Sequence, residues 1–198
     1  MITIAFEGLD ASGKETQTKL LATALEDKGY RVYLQTLPRY ETEIGKLIKT
    51  SLKTGYYNKY VLHTLLEVDR MDFVDNLHAL ELIGNEVIIY DRFTLSNLVY
   101  GVAKGLPSSF LEELQRHIPS PDITIYLDIT PEESYKRKHS NFSEEELDIH
   151  EKDISLLQKV YELYNEFLPV NTTKINATKS RTEIAIEINK IVINKLKG

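Results

Sequence analysis

Gly8, Gly13 and Lys14 stand in the spacing G-x-x-x-x-G-K within "FEGLDASGK", directly after an apolar stretch and directly before a helical pattern. This spacing suits a loop whose glycines let several backbone N–H groups face a phosphate, with the dipole of the following helix adding to the attraction. Lys14 would place its ammonium between the terminal phosphates of a nucleoside triphosphate. The next position breaks the pattern: Glu15 stands where such loops put the hydroxyl that holds magnesium. Its charge would be repelled by a triphosphate unless it points away or acts through the metal. Thr16 offers a hydroxyl one place later, with a local hydrogen bond at the helix start as its other reading. Asp10 and Asp91 are nearby acids suited to magnesium or its waters.

A second anion site is written in "YDRF", where Asp91 can order a metal and Arg92 can clamp a phosphate with its planar fork. Arg39, in "TLPRYETEIGKL", is another anion position just after a proline. In "HTLLEVDRMDF", Leu66 and Arg70 fall on one helix face, an apolar residue followed one turn later by a guanidinium, a pair able to contact and read a flat base. "KRKH" at Lys136 to His139 is a local positive patch able to close over a triphosphate and exclude water. His63 and His78 form no H-x-x-x-H pair, so they read as ordinary imidazoles rather than zinc ligands.

These groups need elements to hold them. Ile2 to Phe6 reads as a strand and Lys14 to Lys28 as a helix ended by Gly29. Arg31 to Leu34 is a second strand, Tyr60 to Leu82 a long helix, and "EVIIYDRF" a strand ending in charge, where open α/β sheets place ligand-binding groups. Then follow the strand "DITIYLDIT", a charge-dense segment, a helix over His150 to Phe167, the strand "TTKINAT" and a last helix. Strands alternating with helices give a mainly parallel sheet covered on both sides.

At 198 residues the chain suits one domain. A net charge of −6 supplies no sequence-wide basic field for a nucleic acid polymer or an anionic membrane. The absence of cysteine excludes disulfides, thiol nucleophiles and thiolate metal sites. No apolar run approaches a membrane-spanning length, so the chain reads as cytoplasmic.

Taken in order, "FEGLDASGK", "PRYETEIG", "EVDR", "YDRFTLSNLVYG", "YLDITPEES", "DIHEKD" and "INAT" resemble the thymidylate kinase family of nucleoside monophosphate kinases along nearly the whole chain. The resemblance implies a three-layer P-loop kinase fold, α/β with a mainly parallel central sheet flanked by helices. It also implies a single domain over 1–198 with a small lid near 136–150. The implied reaction moves the ATP γ-phosphoryl, with Mg2+, onto dTMP to give dTDP and ADP, in a homodimer.

By this similarity Gly8, Ala11, Ser12, Gly13, Lys14, Glu15 and Thr16 form the ATP phosphate loop, and Asn176 and Ala177 lie on the adenine side. Asp10 matches an acid near the acceptor sugar and metal, and Asp91 the metal-associated acid. Arg39 and Arg92 match the arginines at the acceptor phosphate, and Arg70 the one that reads thymine O4. Asn97 matches a residue at the thymine edge and Tyr100 an aromatic against the sugar. With Ala11 where some relatives carry a loop arginine, Arg137 or Lys138 becomes the lid cation. Leu66 replaces a frequent Phe, and Gly101 stands where many relatives have Gln. These two departures keep open a kinase for another deoxynucleoside monophosphate. A regulatory NTP-binding protein is the further alternative, with little use for Arg39, Arg70 and Arg92.

Overall fold

The computed structural model describes residues 1–79, 86–141 and 154–197. Five strands, β1 (Ile2–Glu7), β2 (Arg31–Thr36), β3 (Glu86–Asp91), β4 (Ile123–Asp128) and β5 (Thr173–Asn176), form one sheet in the order β2-β3-β1-β4-β5. Every pairing is parallel, with Phe6 opposite Asp91 and Leu127 opposite Ile175. A sheet covered on both faces needs strands apolar on both sides. All six residues of β3 are buried. Val87 and Ile89 enter the larger core with Phe6, Leu25, Ile125 and Tyr164, while Ile88 and Tyr90 enter a second core with Leu37, Val74 and Phe93. Burying each such side chain contributes about 1.5–3 kcal/mol.

The described helices are α1 (Lys14–Glu26), α2 (Glu43–Thr54), α3 (Lys59–Ala79), α4 (Thr94–Ala103), α5 (Ser108–Gln115), α6 (Pro131–Asn141), α7 (Ile154–Phe167) and α8 (Arg181–Lys197). Sequence periodicity anticipates α1, α3, α7 and α8, whereas α2, α4, α5 and α6 are additions. The helix expected from His150 is described from Ile154, and the one expected to reach Leu82 is described to Ala79. Residues 142–150 of the expected lid lie outside the described residues.

Two local features set the geometry that follows. The sheet order reverses at β1, so the chain leaves the C-terminal ends of β1 and β3 side by side, the place where open parallel sheets bind ligands. Gly45, in the first turn of α2, lies so close to the preceding loop that an added Cβ would come within 1.8 Å of the Arg39 carbonyl oxygen. Thr42 caps the same turn by accepting a hydrogen bond from Gly45 N at 3.0 Å.

Candidate active site

The loop after β1 departs from ordinary backbone at three places: Gly8 has φ 145°, Ala11 φ 52° and Gly13, capping α1, φ 98°. A Cβ on Gly8 would sit 2.7 Å from the Leu127 carbonyl oxygen, so steric room as well as φ requires glycine there. Lys14 Nζ donates to the carbonyl oxygens of Leu9 at 2.6 Å and Gly8 at 3.1 Å, and to Ser12 Oγ at 3.3 Å. Its ammonium is therefore held across the loop. Burial and the neighbouring Arg92 charge pull it down to about 7, against the opposing pull of Asp10, Asp91 and Glu7.

Glu15 turns outward. It pairs with Lys19 at 2.7 Å one helical turn along, and its side chain is 73% exposed. The odd residue is thus directed away from the concave side of the loop, and its charge is locally matched. Thr16 is half-buried on the first turn.

Arg92 crosses from the β3 side to the loop. It adopts φ 68°, donates its N–H to Phe6 O at 3.0 Å, and uses Nη1 on Gly8 O at 3.3 Å and Ser96 Oγ at 3.2 Å. Its other terminal nitrogen pairs with Asp10, and its guanidinium lies over the Tyr100 ring at 5.5 Å. Burial alone would raise the Asp10 carboxyl; Arg92, Lys138 and Lys14 outweigh it and hold the group at about 2. Behind Arg92 sits Glu7, buried, which accepts from Phe93 N at 2.9 Å, Ser96 N at 3.3 Å and Tyr164 OH at 3.1 Å, and from Ser96 Oγ. Glu7 and Ser96 thereby fix the turn that aims Arg92, a role that a sequence search for phosphate ligands passes over.

From Asp10 and Arg92 a cavity runs between α3 and α4. Leu66, Arg70, Asn97, Tyr100, His63 and Tyr40 also line it. Asp10, Leu66, Arg70, Arg92, Asn97 and Tyr100, all singled out in the sequence, thus line one cavity. Arg70 donates from Nη1 to Leu66 O at 2.6 Å, which ties the guanidinium to the helix turn below it. His63 read as an ordinary imidazole in the sequence, yet it lines this cavity and contacts Asn97 at 2.6 Å. Gly101 does not line the cavity but packs behind it: a Cβ there would meet Leu111 Cδ1 at 2.6 Å and His63 Nδ1 at 3.1 Å.

Arg39 is placed differently from the sequence expectation. Its guanidinium binds Asp69 Oδ1 at 3.0 Å, the Asp69 carbonyl at 2.9 Å and Asp72 Oδ2 at 2.6 Å, and lies over Phe73 at 5.5 Å. Its own N–H donates to Asp69 Oδ2 at 3.0 Å. Two carboxylates thus compensate its charge, and Tyr40 rather than Arg39 is on the cavity wall. Arg39 ties the loop after β2 to α3.

The two basic residues of α6 part company as well. Arg137 binds Glu133 at 2.7 Å and the Ala177 carbonyl at 3.1 Å, while Lys138 Nζ lies 4.0 Å from Asp10 Oδ2. Ser134 Oγ donates to Asp10 O at 2.7 Å and anchors α6 on the phosphate loop. Asn176 folds a local turn by accepting from Thr178 N and Oγ1 at 2.9 and 2.7 Å. Arg137 therefore belongs to the 176–177 side and Lys138 to the loop side.

A glycine loop between a parallel strand and a helix, an adjacent strand-end Asp–Arg pair and a cleft running from them between α3 and α4 define a P-loop phosphotransferase. A family model described as thymidylate kinase matches residues 6–188. A "Probable thymidylate kinase" of Pyrococcus horikoshii is 35% identical over 98% of this chain and 97% of its own. One of Methanosphaera stadtmanae is 30% identical over 98% of each chain. The solved structure of thymidylate kinase from Candida albicans superposes with a TM-score of 0.81 at 25% identity, covering 98% of this chain and 92% of that one. The chain belongs to the thymidylate kinase family, ATP-dependent phosphotransferases that convert dTMP to dTDP.

Proposed function

We propose that this protein phosphorylates dTMP at the expense of ATP through the residues gathered at the C-terminal ends of β1 and β3. The observation that carries the reading is the continuity of one cavity, from the Asp10–Arg92 pair beside the phosphate loop to Leu66, Arg70 and Asn97 between α3 and α4. A nucleoside monophosphate laid along it puts its phosphate at Arg92, its sugar against Tyr100 and its base at Leu66. Arg70 then offers N–H donors to a carbonyl such as thymine O4. Lys14, the loop N–H groups and Lys138 stabilise the charge that spreads over the phosphoryl group during transfer. The acceptor phosphate is already ionised at neutral pH, so positioning replaces a general base. Arg137, at the Ala177 carbonyl, serves the adenine side, and Arg39 keeps the wall beside Tyr40 in place.

Magnesium fits this donor set through substrate phosphates, since it takes one or two carboxylates with phosphates and waters. Among the described residues no group of three His, Cys, Asp or Glu side chains converges on a metal-sized site. Asp91 is the better carboxylate, because Asp10 is already matched by Arg92 and Lys138. The metal would neutralise phosphate charge.

The reading extends to a cytoplasmic homodimer. Tyr60, Val61 and Val68 on α3 leave an apolar face 37–45% exposed, which favours pairing through that helix; sedimentation would show twice the chain mass. No described helix is long and apolar enough to cross a membrane. The test of the activity is ADP formation from ATP and magnesium without acceptor, then with dTMP, dUMP, dCMP, dGMP and dAMP. Turnover that depends on dTMP is the expected result. A different preferred acceptor would reject the base assignment, and acceptor-independent hydrolysis would reject the kinase reading.

A further inference from the structure

Asn97, His63 and Glu67 form a closed hydrogen-bond set behind the base end of the cavity. All three are buried, at 2%, 1% and 1% exposure. Asn97 Nδ2 lies 2.7 Å from Glu67 Oε1 and 3.1 Å from the His63 carbonyl oxygen, and Asn97 Oδ1 lies 2.6 Å from His63 Nδ1. The orientation of the amide follows from the partners. Its nitrogen faces two groups that accept, where an amide oxygen would meet only other oxygens. His63 Nδ1 must then carry the hydrogen it donates to Oδ1.

An amide NH2 has two hydrogens, and Glu67 and the His63 carbonyl take both. The oxygen has two lone pairs, of which His63 takes one. An asparagine is by nature ambivalent, able to present a donor or an acceptor by rotating. Here only acceptor capacity is left.

We propose that His63 and Glu67 are positioning residues that lock Asn97 as an acceptor toward the base, so that the site takes a pyrimidine with an imide N–H and rejects one with a bare ring nitrogen. This rests on the reading above that Asn97 meets the base edge. Thymine and uracil carry N3–H and satisfy the remaining lone pair, whereas cytosine brings an acceptor to an acceptor. A buried unpaired polar group is penalised more than a made bond is rewarded, so a fixed partner discriminates better than one free to rotate. Gly101 is part of the device. The 3.1 Å approach to His63 Nδ1 that an added Cβ would make shows that the imidazole occupies the space left by the missing side chain.

The test compares paired variants by the ratio of kcat/KM for dTMP to that for dCMP. Glu67→Met removes the acceptor while Glu67→Gln keeps one, and His63→Leu removes the donor while His63→Asn can keep an N–H in the place of Nδ1. The ratio is expected to fall about tenfold in Glu67→Met and His63→Leu, the scale of one hydrogen bond in a specificity site, and to stay within about twofold of the parent in the two conservative variants. In an Asn97→Ala background, where the ratio is already low, neither Glu67→Met nor His63→Leu should lower it further. An unchanged ratio in both disruptive variants, with a fall in Asn97→Ala, would overturn the locking role and leave the reading of Asn97 intact. An unchanged ratio in Asn97→Ala would reject that reading and the lock with it. Equal falls in Glu67→Gln and Glu67→Met would assign the effect to the charge beside Arg70 and also overturn the lock. The His63 pair decides the matter if Glu67→Met fails to fold.

Discussion

The phosphate end and the base end of the cavity are built by different means. At the phosphate end the backbone does most of the work: Gly8 and Gly13 set the loop, and carbonyl oxygens hold Lys14. At the base end the work falls to side chains on two helices, with Arg70 on α3 tied to the Leu66 carbonyl oxygen and Asn97 on α4 held by His63 and Glu67. A backbone site tolerates a changed neighbour, as Glu15 shows by turning to Lys19. A side-chain network depends on every member, because each buried polar group needs its partner.

If this contrast holds, the largest effect belongs to Lys14→Ala, which removes a charge used in the transition state. Turnover should fall by about 10²–10³ with the protein still folded, and near-full turnover would remove Lys14 from the mechanism. Arg70→Ala should act on choice of base more than on rate. The dTMP to dCMP ratio of kcat/KM is expected to drop about tenfold, and an unchanged ratio would deny Arg70 its reading role. Gly101→Ala probes the packing behind the network. The clash with Leu111 should destabilise the fold by about 1–3 kcal/mol, visible as a lower melting temperature, whereas an unshifted melt would show that α4 and α5 yield easily.

A smaller effect concerns protons. Lys14 is lowered from 10.5 to about 7, so the folded state bears a cost for its charged form that is full below 7 and is relieved as pH rises from 7 toward 10.5. Triphosphate oxygens favour the ammonium and reverse that cost. Binding of ATP at about pH 8 should therefore take up protons, read as a dependence of calorimetric heat on buffer ionisation enthalpy, and Lys14→Met should abolish the uptake. Smallest of all, Glu15→Ser should change stability by no more than about 0.5 kcal/mol and leave the magnesium requirement for turnover as it was. A large gain in metal affinity would show that Glu15 impairs the loop.

The sequence is most legible where a backbone conformation demands particular residues. The glycine spacing locates the phosphate loop, and the all-apolar run before Asp91 locates β3, because few other residues fit those surroundings. Helix α4 is harder, because it is buried over six of its ten positions, which erases periodicity. Helix α2, by contrast, had a readable signal in Ile44, Leu47, Ile48 and Leu52 at helical spacing after the Thr42 cap. Helix α6 had a readable signal in Pro131 at its first position, Glu132 and Glu133 in the first turn and Lys138 and His139 in the last. The Asp69 and Asp72 partners of Arg39 were not legible, because a guanidinium near a phosphate and one between two carboxylates look alike in sequence. His63 and Glu67 act through a contact that joins positions 30 and 34 residues apart, which no local pattern encodes.

Phosphoryl transfer from the loop to an acceptor in the cavity is tested by measuring both products of one reaction with ATP, magnesium and dTMP. Formation of dTDP equal to the ADP released, from the first turnovers onward, is the predicted result. ADP accumulating without dTDP would mean that the cavity does not hold the acceptor in line with the loop, and would contradict the account.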